Sequence, residues 1–381
     1  MIKERIDNYL SDRKATLLCV GPMSVNCVDV TTELANEYNI PLMLIASRRQ
    51  IDSKEFGGGY VNNWTTEEFA NYVRGRDTNN NVLLARDHGG PWQNNKEQTD
   101  KLNLADAMKS CKLSYKADID AGFQVFHIDP SVDIFKSPSV DEILERVYEL
   151  YEYCWNYANS LGKEIIFEIG TEEQSGSTNT QEELNYALKS IFDFCGKNKM
   201  PEPTFVVIQT GTRVMETRNV GSFDSPIRVV DEIPAEIQVP KMIEICHEYG
   251  IYLKQHNTDY LSDEALKWHP RLGIHSANVA PEFGVAETCS LLEILERNNF
   301  QSLADEFIEL AYNSNKWVKW MLPNTNATDR DRAVIAGHYV FGIEEFSEIK
   351  LKAILGLKSK GIDLDHELKN SVRKSIMRYL N

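Results

Sequence analysis

The run Val82-Leu83-Leu84-Ala85-Arg86-Asp87-His88-Gly89-Gly90-Pro91-Trp92 joins an apolar, β-type stretch to an acid, an imidazole and two glycines. An apolar run of this length bounded by turn formers reads as a buried strand. Asp87 and His88 then stand where the strand opens into its loop. A carboxylate beside an imidazole at such a point can move a proton or help to hold a divalent metal. The competing reading makes Asp87 a cap of the next helix and His88 a packed core histidine.

The same kind of strand end recurs along the chain. Strand two (41–47) leads to Ser47, Arg48 and Arg49, and strand three to Arg86, Asp87 and His88. Strand four (125–129) carries His127 and Asp129. Strand five (164–171) carries Glu168 and is followed by Glu172. Strand six (204–210) ends in Gln209 and Thr210, with Arg213 beyond. Strand seven (251–255) runs into His256, Asn257 and Asp259. Strand eight begins at 273–275 and brings His275, Ser276 and Asn278. Imidazoles and carboxylates gathered at one mouth are donors that zinc, manganese or iron accept.

Whether these ends share a mouth depends on the elements that carry them. Residues 1–14 hold a short amphipathic helix. From 15 to 297, eight strand candidates alternate with helices. Thr65/Glu68, Ser139/Glu142 and Thr180/Glu183 have the spacing of capping boxes, and Gly122 and Gly250 close two helices. Eight such repeats in roughly 280 residues predict an α/β fold of the TIM (β/α)8 barrel type, whose strands all end at one face. A doubly wound sheet is the alternative, but no GxGxxG follows the first strand. Leu266–Pro270 reads as a short connection. Residues 298–381 carry helical periodicity and no convincing strand, so they form a helical C-terminal extension. Its loop 323–328 reads as a hinge, and Trp317 and Trp320 read as packing it onto the barrel.

The 381 residues carry a formal net charge of −16, which argues against nucleic acid and anionic membrane surfaces as partners. No apolar run approaches the ~20 residues of a membrane-spanning helix. The seven cysteines are scattered without a CxxC pair, as in a cytoplasmic protein with reduced thiols. The opening Met-Ile-Lys-Glu-Arg-Ile-Asp has no apolar core of a signal peptide.

The blocks Phe56-Gly57-Gly58-Gly59-Tyr60, Asp87-His88-Gly89-Gly90-Pro91-Trp92, Ala121-Gly122-Phe123 with His127-Ile128-Asp129, Ile169-Gly170-Thr171-Glu172, His256-Asn257-Thr258-Asp259-Tyr260 and Asp329-Arg330-Asp331-Arg332 occur in that order. On these, the chain resembles the GatZ/KbaZ proteins, accessory subunits of class II tagatose-bisphosphate aldolase. More distantly it is similar to the class II fructose-bisphosphate aldolases. The resemblance spans about residues 16 to 340. It implies a divalent metal, zinc first, with manganese or iron as the other choices. His88 and His256 become ligands, with Glu168 or Glu172 as a third. Asp87 becomes the general acid/base, and Glu172 and Asp259 join it as catalytic candidates. The implied chemistry is cleavage or epimerisation of a sugar through an enediolate or a retro-aldol step.

The chain departs from class II aldolases after His256. Asn257-Thr258-Asp259 stands where those enzymes place glycines and a serine around a phosphate. Arg48, Arg49, Arg86 and Arg213 stand at mouth positions, and Arg330 can reach in from the extension. Arginines suit phosphate or carboxylate, so the expected substrate is an anionic sugar: a ketose phosphate, a sugar acid or an activated sugar. His127, Asp129, Gln209, Ser276 and Asn278 complete the expected substrate-binding set. The other reading pairs these arginines with the acids around them. A homo-oligomer or an aldolase partner subunit is compatible with the chain. The alternative functions are a non-catalytic accessory subunit that stabilises a separate aldolase, and a sugar-binding regulatory protein.

Overall fold

The computed structural model describes residues 1–11, 15–171, 180–224 and 234–380. Ten strands lie among them: β1 Leu17–Val20, β2 Leu42–Ser47, β3 Val82–Gly89, β4 Val125–Ile128, β5 Ile166–Ile169, β6 Phe205–Ile208, β7 Val214–Met215, β8 Arg218–Asn219, β9 Tyr252–Gln255 and β10 Ser276–Val279. Eight of them close a barrel in the order β1-β10-β9-β6-β5-β4-β3-β2, every pair parallel. β7 and β8 form a small antiparallel hairpin in the connection after β6. The expected TIM barrel is the fold, and it is followed by C-terminal helices.

Alternation along the strands divides the barrel's residues into two sets. Leu17, Cys19, Met43, Ile45, Leu83, Ala85, Val125, Ile166 and Phe205 point inward. They pack with Ile2, Ile6 and Leu10 of the N-terminal helix Ile2–Leu10, which plugs the lower end. Their neighbours Leu18, Val20, Leu42, Leu44 and Leu84 point outward into the layer shared with the surrounding helices. Strands buried on both faces need the near-continuous apolar runs seen in the sequence.

The expected caps form. Thr65, Ser139 and Thr180 each accept from the backbone N–H three residues on, with Glu68, Glu142 and Glu183 reaching back. The connection between β9 and β10, expected to be short, is the ten-residue helix Asp263–Leu272, capped by Ser262 and containing Pro270. Its cap stands outside the window read from the sequence, and Pro270 sits where a helix break is the ordinary expectation. Strand eight starts at Ser276, so His275 lies at the lower end, where its Nδ1 accepts from Leu253 N.

Past the barrel, helices Gln301–Asn313, Asp329–Ala336 and Glu344–Lys358 bury Leu303, Phe307, Ala333, Phe346 and Ile349 against Leu291, Leu292 and Leu295 of helix Pro281–Arg297. The last helix, Leu364–Met377, returns Val372 and Ile376 to the barrel's helical layer. Trp317 stacks on Tyr312 within the extension. Trp320 behaves differently: it lines the cavity at the barrel mouth.

Candidate metal centre at the barrel mouth

Extending the inward set by one step places polar groups above the apolar interior. Leu83 and Ala85 are followed by Asp87, Val125 by His127, Ile166 by Glu168 and Lys254 by His256. The register aligns them, with His127 opposite Glu168. Donor atoms of Asp87, His127, Glu168 and His256 all lie within 4.8 Å of one another, and all four residues are buried.

His88 has the wrong parity for this layer, and a backbone irregularity brings it in. The β3–β4 register shifts between Arg86 and Gly89, and His88 has φ 45°. A bulge of this kind re-aims a side chain. Its imidazole joins those of His127 and His256, with ring centroids 5.0–5.2 Å apart. His88 Nδ1 lies 2.7 Å from Asp129 Oδ2, while Nε2 faces Asp87 Oδ2 at 3.8 Å. His88, His127 and Asp129 make a second donor group sharing His127.

Two glycines make room for this arrangement. A Cβ on Gly170 would lie 2.5 Å from His127 Nε2, and one on Gly90 would lie 2.2 Å from the Asp129 carbonyl oxygen.

The carboxylates and His256 carry the charges that metal ligation needs, and His88 must give up a proton to join them. Burial favours the neutral forms of Asp87 and Glu168, but the neighbouring charges and hydrogen bonds prevail. The charge of His88, with hydrogen bonding from His127, holds Asp87 far below the ordinary carboxylate range. Lys254, His127 and His256 bring Glu168 down to about 2. Burial lowers His256 to about 4, which keeps its imidazole neutral. For His88 burial acts downward, yet Asp87 and Asp129 together hold it up at about 9. Ionised carboxylates and a neutral imidazole are the forms in which these groups bind a divalent ion. Two atoms at the cluster, His127 Nε2 and Asn278 Oδ1, are buried without a hydrogen-bond partner.

Lys254, absent from the sequence-derived set, lies beneath the cluster at 0% exposure, with its Nζ 2.5 Å from Glu168 Oε2. Its spacing of two from His256 is the signal that could have found it. Above the cluster, Asp87 and His88 open into a cavity of about 870 Å³.

The remaining sequence-derived residues are placed as follows. Asn278 is at the cluster, its Nδ2 3.3 Å from Asp87 Oδ1. Gln209 is buried one residue beyond β6. Arg49 lines the cavity. Arg86, expected at the mouth, has outward parity: its guanidinium donates to both oxygens of Asp118 and to the carbonyls of Ala46 and Ile51. Arg48 reaches the cavity wall, but Asp52 and Glu97 already hold its guanidinium. Arg330 does not reach in and forms a two-point pair with Glu296. Arg213 is exposed beside the β7–β8 hairpin. Ser276 points inward one layer too deep, donating to the Leu17 carbonyl. Asp259 caps helix Pro281–Arg297, its Oδ1 accepting from Ala280 N and Glu282 N at 2.9 Å each. Burial and the neighbouring Glu282 push its carboxyl up to about 7. Glu172 lies outside the described residues.

No protein-family model matches the chain, and no curated protein matches it. Solved structures do. A probable tagatose 6 phosphate kinase from Sinorhizobium meliloti 1021 aligns over 96% of this chain and 99% of its own, with TM-score 0.74 and 16% identity. Fructuronate-tagaturonate epimerase UxaE from Cohnella laeviribosi aligns over 99% of this chain and 84% of its own, with TM-score 0.60 and 10% identity. Fructose-bisphosphate aldolase from Campylobacter jejuni aligns over 94% of each chain, with TM-score 0.51 and 14% identity. The chain therefore shares the TIM-barrel fold of sugar aldolases and epimerases, and these likenesses do not single out the GatZ/KbaZ group.

Proposed function

We propose that this protein is a metal-dependent enzyme acting on an anionic sugar, by aldol cleavage or by epimerisation. One observation carries the reading: Asp87, His127, Glu168 and His256 converge from four strand ends, and Asp87 opens from that cluster into a cavity. The donor set fits zinc, manganese or iron, because neutral imidazole and carboxylate suit all three. His256, Glu168 and, once it has given up its proton, His88 would hold the ion, with His127 in reach. When bound, such an ion polarises a ketose carbonyl and offsets negative charge developing on its oxygen.

The chain's own residues do the rest. Asp129 fixes the His88 ring, as carboxylates do for metal-binding imidazoles. Lys254 keeps Glu168 ionised. Ionised Asp87, at the cavity floor, is placed to accept a hydrogen bond, and in turn a proton, from a substrate hydroxyl. Asn278 orients that carboxylate.

The test begins with metal content. The purified protein should carry or take up one equivalent of zinc, manganese or iron, and His256→Ala and Glu168→Gln should lose it. Ketose phosphates and sugar acids would then be screened for cleavage and epimerisation, with Asp87→Asn expected to abolish turnover. Absence of both metal uptake and turnover would sink the enzyme reading and leave the accessory-subunit role.

A further inference from the structure

The cavity above the cluster has an end that the metal chemistry does not use. Asp87 is the one acidic residue among the described residues lining it, in a chain of net charge −16. Arg49, Lys96, Lys316 and Lys319 line it as well. Arg49 is half-buried, with its Nε buried and without a hydrogen-bond partner. Among the described residues, neither Arg49 nor Lys319 has a carboxylate within ion-pair distance. Every other arginine buried at this face has one: Arg48 has Asp52 and Glu97, and Arg86 has Asp118. Taking a guanidinium out of water without a counter-ion is costly, so the unpaired one is a position that an anion would stabilise.

We propose that Arg49 and Lys319 form an anion subsite that grips the phosphate or carboxylate of the substrate, with the reacting end of the sugar toward His88 and Asp87. The proposal rests on the metal-centre reading for the direction in which the sugar lies. It extends that reading by giving the helical extension a part in substrate recognition.

Backbone, side-chain and ring contacts hold Lys319 in place. It belongs to the short turn Val318–Trp320, whose last carbonyl accepts from Glu216 N at 2.8 Å. Trp320 Nε1 donates to Tyr339 Oη at 3.2 Å, and the Tyr339 ring packs on Tyr60 with centroids 4.7 Å apart. The Lys319 ammonium sits over the rings of Trp320 and Tyr339 at 4.6 and 5.7 Å. Crowding by protein, and then the charges of Arg49 and Lys316, lower Lys319 to about 8. Two cations held near one another without a counter-ion are stabilised by an incoming anion. A guanidinium binds phosphate or carboxylate through two parallel bonds, and a lysine adds a point charge.

The first measurement uses metal-free protein at low salt, titrated separately with inorganic phosphate and with glycolate. Wild type should bind one of them saturably, and the tighter probe identifies a phosphate or a carboxylate site. Lys319→Met and Arg49→Gln should each weaken that binding by about tenfold or more. Lys319→Arg should retain it, and thermal melts should show all three variants folded. Metal-loaded protein is then titrated with fructose 6-phosphate, fructuronate and fructose. Wild type should prefer the matching charged sugar, and the two neutralising variants should lose the preference while keeping affinity for fructose. No binding of either anion, or unchanged binding in both neutralising variants, overturns the subsite and leaves the metal centre standing. Charge-dependent anion binding in a protein that takes up no metal sustains the subsite and removes the metal reading.

Discussion

His88 Nδ1 and Asp129 Oδ2 lie 2.7 Å apart. The pair determines which face of the imidazole is left for the cluster. With Nδ1–H donating to the carboxylate, Nε2 is the nitrogen that faces Asp87 and the other two rings, and it ligates once its proton is displaced. Partners of this kind usually contribute 10- to 100-fold in metal affinity. Asp129→Asn should therefore weaken zinc binding by about 10- to 100-fold, while His256→Ala abolishes it. Competition with a chelator of known affinity measures both, and an Asp129→Asn affinity equal to wild type would remove the pair from the site.

Gly170 is needed for the room it leaves. An added methyl group would lie 2.5 Å from His127 Nε2. Gly170→Ala should cost about 1–3 kcal/mol through overpacking and reduce metal content with it. In a His127→Ala background the same change should cost little, since the obstructing ring is gone. Urea unfolding of the two single variants and the double variant closes the cycle. Additive costs would mean that the ring and the glycine do not interact.

Lys254 and Glu168 form an ion pair at 0–1% exposure. Removing one partner leaves the other charged and buried, which costs about 3–5 kcal/mol. Lys254→Met should lose stability on that scale. Lys254→Met with Glu168→Gln should recover much of the loss, although metal binding stays absent. Denaturant midpoints decide it. A single variant within ~0.5 kcal/mol of wild type would show that the His256 contact alone satisfies Glu168.

His269 and His338 predict the acid side of the stability curve. Burial lowers both to about 3 from an ordinary 6.5. Below pH 6.5 the unfolded chain takes up protons at these positions and the folded chain does not. Their contribution is therefore complete above pH 6.5, falls as pH drops, and is lost below about 3. At pH 5 each accounts for about 2 kcal/mol. Asp259 acts in the opposite sense: its raised carboxyl favours the folded state below 3.8 and loses that advantage as pH rises to about 7. The measurement is therefore variant against wild type. Unfolding of His269→Gln and His338→Gln between pH 4 and 7 should show a shallower acid loss than wild type, and parallel curves would contradict the assignment.

The barrel is legible in the chain, because eight apolar runs separated by capped helices admit few other closed arrangements. The strand ends include all four residues of the cluster, although His127 reads there as a substrate group and Lys254 does not stand out. A strand's period of two puts Asp87 in line with Leu83 and Ala85, His127 with Val125, and Lys254 with His256. The same parity turns Arg86 outward to Asp118, although its place at a strand end reads as substrate binding. Three features depend on how the chain packs in space. A bulge reverses the parity of His88, and no periodicity signals a bulge. Pairing partners far along the chain, such as Glu97 for Arg48 and Glu296 for Arg330, determine which cations are spent and which are free. The docking of the extension brings Lys319 to Arg49 across 270 residues of chain. That placement depends on Tyr60, Trp320 and Tyr339 packing together, and side-chain packing between distant segments leaves no local pattern to read.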